Sequence, residues 1–96
     1  GMVHISQIAA PQPIVRVTPV YPELASRIGL AGVVVVEAEV DATGRVRTAR
    51  VLRGHQLLRD AALEAVRQWR YRPLLLNGEP TAFILNVNVE FRTLRE

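Results

Sequence analysis

A short aromatic segment, Trp69-Arg70-Tyr71-Arg72-Pro73, separates two stretches of opposite hydrophobic periodicity. Before it, from Leu58 to Trp69, small and apolar side chains recur at the spacing of an amphipathic helix. After it, beyond a turn at Asn77-Gly78, residues Phe83–Phe91 alternate almost without exception between apolar and polar, which is typical of a half-buried strand. The pattern predicts a helix that runs through Trp69 and is stopped by Pro73, followed by a returning strand.

The N-terminal half of the chain predicts a short helix. Tyr21-Pro22 opens it, with proline at the first helical position, where an N–H would have no intrahelical acceptor. Leu24, Ala25 and Ile28 give this helix one apolar side, and Gly29 is placed to end it.

A β-hairpin follows this helix. Val33–Val40 is rich in β-branched residues, and its even-numbered positions form a wholly apolar face. Residues 41–44, Asp-Ala-Thr-Gly, predict the hairpin turn. The returning strand, Arg45–Leu52, changes its apolar phase after Val46, so a β-bulge near Arg47-Thr48 is needed to keep one face on the core.

The order helix, strand, strand, helix, strand predicts an α+β fold, a small two-layer sandwich. A hairpin followed by a helical crossover favours a three-stranded antiparallel sheet of order 2-1-3, with both helices on one face. The last strand then lies at an edge, with backbone groups free on one side. The residues expected in the core are Leu58, Ala62, Val66, Trp69, Val34, Val36, Leu85 and Val87.

The composition fits one domain. The chain has 96 residues with 49% hydrophobic content, and it has no cysteine for disulfides or thiolate metal ligands. Its longest apolar run, residues 28–36, is far shorter than the ~20 residues of a membrane-spanning helix. Residues 1–17 are expected to be a tag remnant and an extended tail, and residues 18–96 the domain.

The residues of this chain do not suggest catalysis or a metal centre. Neither Ser6 nor Ser26 has a histidine at the spacing of a nucleophilic motif. A metal site would require two or more of His55, Asp60 and Glu64 to converge, and without a second His or Cys beside them the signal is weak. We therefore expect no enzyme activity, no cofactor and no metal.

The remaining possibility is a binding function, and the sequence offers two candidate binding surfaces. Net charge is +3, and Arg45, Arg47, Arg50 and Arg53 cluster along one strand, where they could contact nucleic-acid phosphates. The aromatic residues, however, are expected in the core rather than on a stacking platform. The edge of the last strand is the better candidate, because an extended peptide can add to it through backbone hydrogen bonds.

The motifs together resemble the C-terminal domain of the TonB energy-transducer family. The resemblance runs from Thr18 to Phe91. Its motifs are Pro19-Val20-Tyr21-Pro22, Ala25, Gly32, Asp41-x-x-Gly44-x-Val46, Ala62, Trp69-Arg70-Tyr71-Arg72-Pro73 and Val87-x-Val89-x-Phe91. The resemblance implies a structural role for some of these motif residues, namely Tyr21, Pro22, Gly32, Gly44, Trp69, Tyr71 and Pro73.

The resemblance implies a periplasmic domain of an inner-membrane-anchored protein. Such a domain captures the TonB box, a short extended segment of an outer-membrane transporter, and an ExbB/ExbD-type proton-driven motor supplies force for nutrient uptake such as that of siderophores. The partner-binding residues it implies are Ile84, Leu85, Asn86, Val87, Asn88, Val89, Thr18 and Val20. Some members carry Gln where this chain has Thr18, and residues 74–79 form a longer loop than in the enterobacterial type.

Two further readings stay open from the sequence. A TonB-like domain can serve as an adaptor in a signalling or scaffolding protein, which the native sequence upstream would distinguish from a transducer. A small basic nucleic-acid-binding module is less favoured, and we expect no nucleic-acid partner. An exposed edge strand also invites homodimerisation of the isolated domain.

Overall fold

The computed structural model describes residues 2–6 and 10–93 of the chain. Its elements, in order, are β1 (Val3–Ile5), α1 (Glu23–Arg27), β2 (Gly32–Val40), β3 (Val46–Arg53), α2 (Gln56–Val66), β4 (Leu74–Leu76), β5 (Glu79–Thr81) and β6 (Phe83–Phe91). Within these residues no helix is both long and apolar enough to cross a membrane.

The main sheet has four strands in the order β1-β6-β2-β3. β6 and β2 pair antiparallel along their whole lengths, from Gly32 opposite Phe91 to Val40 opposite Phe83. The three strands expected from the sequence therefore lie in the expected order, with β2 central. The prediction of a three-stranded, wholly antiparallel sheet was wrong, because β1 adds to the outer side of β6 in the parallel direction.

The pairing of β3 with β2 contains the expected irregularity. Val40 lies opposite Val46 and Glu39 opposite Thr48, so Arg47 is the extra residue of a bulge. The predicted bulge is thus confirmed. The first shift places Ala49 and Val51 on the core side together with Val46. A second shift, at Leu52, was not expected, and Leu52 is exposed.

The core lies between the helices and one face of the sheet. All eight residues expected to be buried are buried, and the side chains of α1 and α2 contribute to the same cluster. The two tyrosines of the sequence motifs pack edge-on against the two ends of β6. Tyr21 meets Phe91 at 5.5 Å between ring centroids, and Tyr71 meets Phe83 at 5.8 Å.

Helix α2 ends earlier than the periodicity predicts. It closes at Val66, and Trp69 lies beyond it in a tighter turn, its N–H donating to the Val66 carbonyl at 3.0 Å. Arg70 exchanges backbone hydrogen bonds with Val15 instead of continuing the helix. Tertiary pairing therefore ends the helix before Pro73 can.

Helix α1 buries less than expected. Pro22 precedes the helix in an extended conformation rather than occupying its first turn. Of the predicted apolar side only Ala25 is buried, whereas Leu24 and Ile28 are 54% and 61% exposed. Ala25 is the buried residue of this five-residue helix, and Ile28 lies outside it because the helix ends at Arg27. Gly29 follows with φ of 70° and ends the helix as predicted.

The segment expected to be a loop forms a small hairpin. β4 and β5 pair antiparallel, and Asn77 and Gly78 connect them with φ of 52° and 81°. Two successive positive φ values are the signature of a type I′ turn, which matches the twist of the flanking strands.

Candidate partner-binding edge

An extended arm, residues 10–21, precedes α1 and is hydrogen-bonded to the aromatic segment that follows α2. The Ile14 and Val15 N–H groups donate to the Arg70 carbonyl at 2.7 and 3.2 Å, and the Arg70 N–H donates to the Val15 carbonyl at 2.9 Å. The Trp69 indole N–H donates to the Val17 carbonyl at 3.0 Å. The aromatic segment thus holds the arm against the core.

A cation–π contact adds to this attachment. The Arg16 guanidinium carbon lies 4.5 Å from the centroid of the Trp69 ring, whose side chain is 2% exposed. Sequence reasoning placed Arg16 and Val17 in the tail and missed this role. The alternation of apolar Val15 and Val17 is the signal that could have indicated an ordered extended segment.

The β2–β3 turn docks on the same aromatic segment. The Tyr71 N–H donates to the Gly44 carbonyl at 2.8 Å. The Asp41 carboxylate accepts hydrogen bonds from the Thr43 N–H at 2.9 Å, the Thr43 hydroxyl at 2.6 Å and the Arg45 N–H at 3.1 Å. These bonds, that of the Thr43 hydroxyl foremost, hold the pKa of Asp41 below its usual value.

Tyr71 itself is buried under the arm. Its side chain is 2% exposed, and its hydroxyl has no hydrogen-bond partner among the described protein groups. Burial raises the pKa of Tyr71 to about 12, against a smaller opposing effect of the Arg16 charge. Tyr71 is thus a packing residue, as Tyr21 is at the other end of β6, where its hydroxyl donates to the Leu30 carbonyl.

The outer edge of β6 is where the structure differs most from the sequence-based expectation. Its first part is paired, since β1 lies beside it with Val3 opposite Phe83, His4 opposite Ile84 and Ile5 opposite Leu85. The expectation of a wholly unpaired edge was wrong for Ile84 and Leu85. Beyond Leu85, no strand of the described chain pairs with this side of β6.

A cleft of about 430 Å³ lies beside the second part of β6. It brings together Thr18, Asn88 and Val89, three of the residues that the resemblance implies for partner binding. The arm forms one wall, and Val33 and Glu90 contribute from the sheet. A smaller cleft of about 170 Å³ separates residues 10–13 of the arm from residues 85–88 of β6.

The remaining implied residues divide by the direction of their side chains. Leu85, Val87 and Val89 are 2%, 8% and 2% exposed, so these residues can offer a partner only their backbone. Ile84, Asn86 and Asn88 alternate with them on the opposite face of β6. Val20 is 83% exposed and lines a separate pocket with Thr18 against α2.

The other structural-motif residues have simpler surroundings. Pro22 accepts the first helical hydrogen bond, from the Ser26 N–H at 2.9 Å. Gly32 begins β2, and a Cβ there would make only ordinary contact with Leu58. Pro73 directly precedes β4 and lies outside any helix.

The far edge of the sheet belongs to β3 and carries the arginine cluster. Arg50 pairs with Glu37 at 2.8 Å, and Arg45, Arg47 and Arg53 are exposed. Two bulges and a row of charges protect such an edge against pairing with another chain. Four of the five aromatic residues are buried, and so do not form a stacking surface beside these arginines: Trp69, Tyr71, Phe83 and Phe91.

His55 has a structural role at the start of α2. Its Nδ1 accepts a hydrogen bond from the Leu57 N–H at 3.1 Å, so the imidazole caps the helix. The described side chains form no group of three potential metal ligands.

Comparison with known proteins places these features in a family. The family profile of the Gram-negative bacterial TonB protein C-terminal region matches residues 17–93. Protein TonB of Vibrio cholerae serotype O1 is 34% identical over 79 residues, which are 80% of this chain and 32% of that protein. Protein TonB of Xanthomonas campestris pv. campestris is 35% identical over 75 residues, or 76% of this chain and 34% of that protein. The chain thus spans about a third of the length of these relatives.

The fold is also that of a solved relative. The solution NMR structure of the Pseudomonas aeruginosa TonB CTD superimposes with a TM-score of 0.75 over 96% of each chain, at 23% sequence identity. The profile match covers the β2–β3 hairpin, α2, the aromatic segment and β6. The chain therefore belongs to the family of Gram-negative TonB C-terminal domains.

Proposed function

We propose that this domain captures the TonB box of an outer-membrane transporter in the periplasm, by adding that extended segment as a strand along the outer edge of β6. The domain would belong to an inner-membrane-anchored transducer, and an ExbB/ExbD-type motor would supply the force for nutrient uptake. This is a binding and force-transmitting role, and it requires neither catalysis nor a cofactor.

One observation carries the proposal: the outer edge of β6 already accepts an extended segment, because β1 pairs there in register. Main-chain hydrogen bonds supply the affinity in this mode of recognition. The inner edge of β6 is fully paired with β2, so the strand is held rigidly in place. The cleft beside Asn88 and Val89, with Thr18 on its opposite wall, extends the surface available to the same segment.

The attachment of the arm suggests how a load could reach this edge. Tension applied from the N-terminal side would act first on the β1–β6 pairing and, once β1 has left the edge, on the Val15–Arg70 pairing and the Trp69–Val17 hydrogen bond. From there it would pass through the core, which contains Trp69, to β6. The aromatic segment would then serve as the mechanical link between the anchor and the captured transporter.

A proline scan of residues 85–88 tests the edge directly, with binding of a synthetic TonB-box peptide and thermal stability as the two measurements. Backbone N–H groups alternate between the two neighbours of a strand. Proline at one parity removes a bond to β2 and should destabilise the domain. Proline at the other parity should leave the fold largely intact while peptide binding collapses.

Asn86 and Asn88 are the best positions for controls, because neither contributes a side chain to the core. Asn86→Ala and Asn88→Ala retain the N–H that proline removes, so they separate loss of a side chain from loss of a donor. If no proline variant loses the peptide while keeping its fold, the partner docks elsewhere.

A further inference from the structure

We propose that β1 is an intramolecular competitor for the partner-binding edge, so that a captured segment must displace it to pair with the whole of β6. This inference rests on the proposed function, since it assigns β1 and the partner to the same backbone groups. Ile84 and Leu85, which the resemblance implies for partner binding, lie opposite His4 and Ile5 of β1.

The length, pairing and burial of β1 are those of a strand that can dissociate from the sheet. It has three residues, and it touches the sheet on one side only. Val3 and Ile5 are half-buried and pack against the edge of the core, whereas His4 is exposed. A strand this short forms few backbone bonds, and none of its side chains is fully buried.

The attachment of the arm explains why β1 nevertheless occupies the edge. Residues 14–17 are fastened to Trp69 and Arg70 by the hydrogen bonds described above. Eight residues separate Ile5 from the anchored Ile14, so the arm keeps β1 close to its site when the strand leaves. A short tether of this kind gives an effective concentration on the order of millimolar, which favours rebinding each time the strand leaves.

The two parts of the edge then have different roles. An incoming segment can engage first at the cleft beside Val89 and Glu90, which lies beyond the residues of β6 that β1 covers. It then extends toward Phe83 as β1 withdraws. The apparent Kd for the partner is the intrinsic Kd divided by the fraction of molecules in which β1 has left the edge, so an occupancy of ~90% by β1 would weaken binding roughly tenfold.

Two substitutions in the intact chain distinguish competition by β1 from a general effect of added negative charge on peptide binding. Ile5→Asp places a carboxylate at a half-buried position of β1, where its desolvation opposes pairing. His4→Asp places the same carboxylate at the exposed position next to it. Neither position belongs to the buried core, so both variants should fold.

Binding of a synthetic TonB-box peptide is measured by calorimetry for the wild type and both variants. We expect Ile5→Asp to bind roughly tenfold more tightly and His4→Asp to bind as the wild type does. Equal affinity in all three proteins would overturn the competitor role and leave edge capture standing. Absence of binding in all three would overturn the proposed function, and the competitor role with it.

Amide hydrogen exchange without any peptide tests the occupancy of the edge separately. We expect Ile5→Asp to accelerate exchange at one or more of residues 83–85, where outward N–H groups lose their acceptors, and His4→Asp to leave them protected. Unchanged exchange at all three residues in Ile5→Asp would show that β1 does not hold the edge in solution, and would overturn the inference.

Discussion

Gly44 and Tyr71 approach each other so closely that the first has no room for a side chain. A Cβ on Gly44 would overlap the carbonyl group of Tyr71, and the Tyr71 N–H donates to the Gly44 carbonyl at 2.8 Å. Gly44 also has φ of 94°, a conformation that L-residues rarely adopt. Two motifs that lie far apart in the sequence, the hairpin turn and the aromatic segment, are therefore one packed unit.

Gly44→Ala should destabilise the domain severely, by more than about 3 kcal/mol, because backbone strain and steric overlap add. Gly78→Ala is the matched control, since Gly78 has a similar φ of 81° but nothing within 4 Å of its added Cβ. It should cost only about 1–2 kcal/mol, the price of the left-handed conformation. Urea unfolding of both variants measures the difference, and equal losses would show that the contact with Tyr71 is unimportant.

Tyr71→Phe should leave stability at pH 7 within about 1 kcal/mol of the wild type, because the hydroxyl makes no described hydrogen bond. Tyr71→Ala, which empties the site, should lose about 3–5 kcal/mol. Comparison of the two variants separates the contribution of the aromatic ring to stability from that of its hydroxyl. A large loss in Tyr71→Phe would reveal a hydrogen bond on which the fold depends.

Tyr71→Phe should also change how the stability of the domain depends on pH in the alkaline range. The pKa of Tyr71 is raised to about 12 in the folded protein from 10.0, so the unfolded chain releases this proton first. Stability from this group is present below pH ~10 and is lost as pH rises toward 12. Unfolding measured between pH 9 and ~12 should therefore show a steeper loss in the wild type than in Tyr71→Phe.

Hydrophobic periodicity predicted the elements of this fold in which buried and exposed positions recur at a regular spacing. Buried and more exposed positions alternate along the whole of β6, and the phase change after Val46 located the bulge at Arg47. Helix α2 was extended wrongly to Trp69, because that residue continues the apolar stripe although Arg70 pairs with Val15. Local pattern does not record such long-range backbone pairing.

The pairing of β1 with the outer edge of β6 could not be predicted from hydrophobic periodicity either. Three residues, Val3–Ile5, are too short to establish a period of two, and their partner strand lies at the other end of the chain. The motif resemblance led to β6 and to Thr18, and the cleft brings Thr18 beside Asn88. The roles of Arg16 and Val17 depend on their contacts with Trp69, which only the folded arrangement reveals.

Binding to nucleic acid should be weak in spite of the net charge of +3. Arg47 and Arg53 of β3 and the preceding Arg45 are exposed, but phosphate contacts of this kind support only non-specific affinities of roughly 10⁻⁴–10⁻⁶ M. Titration with single- and double-stranded DNA at physiological salt tests this. Sub-micromolar affinity with a steep salt dependence would make the arginine edge a functional surface.

Trp69→Phe should loosen the arm while keeping an aromatic ring in the core. The variant loses the indole N–H that donates to the Val17 carbonyl, and it weakens the cation–π contact with Arg16. Opening of the arm exposes the Arg16–Val17 bond to trypsin. Limited proteolysis followed by mass spectrometry should therefore show faster cleavage after Arg16 than in the wild type.

Tyr71→Phe serves as the control for this experiment, because it also removes one polar hydrogen from a buried aromatic residue but breaks no bond to the arm. Cleavage after Arg16 should remain slow in that variant. If both variants are cut at the wild-type rate, the Val15–Arg70 pairing alone holds the arm. The Trp69 indole would then not belong to the path by which load on the arm reaches the core.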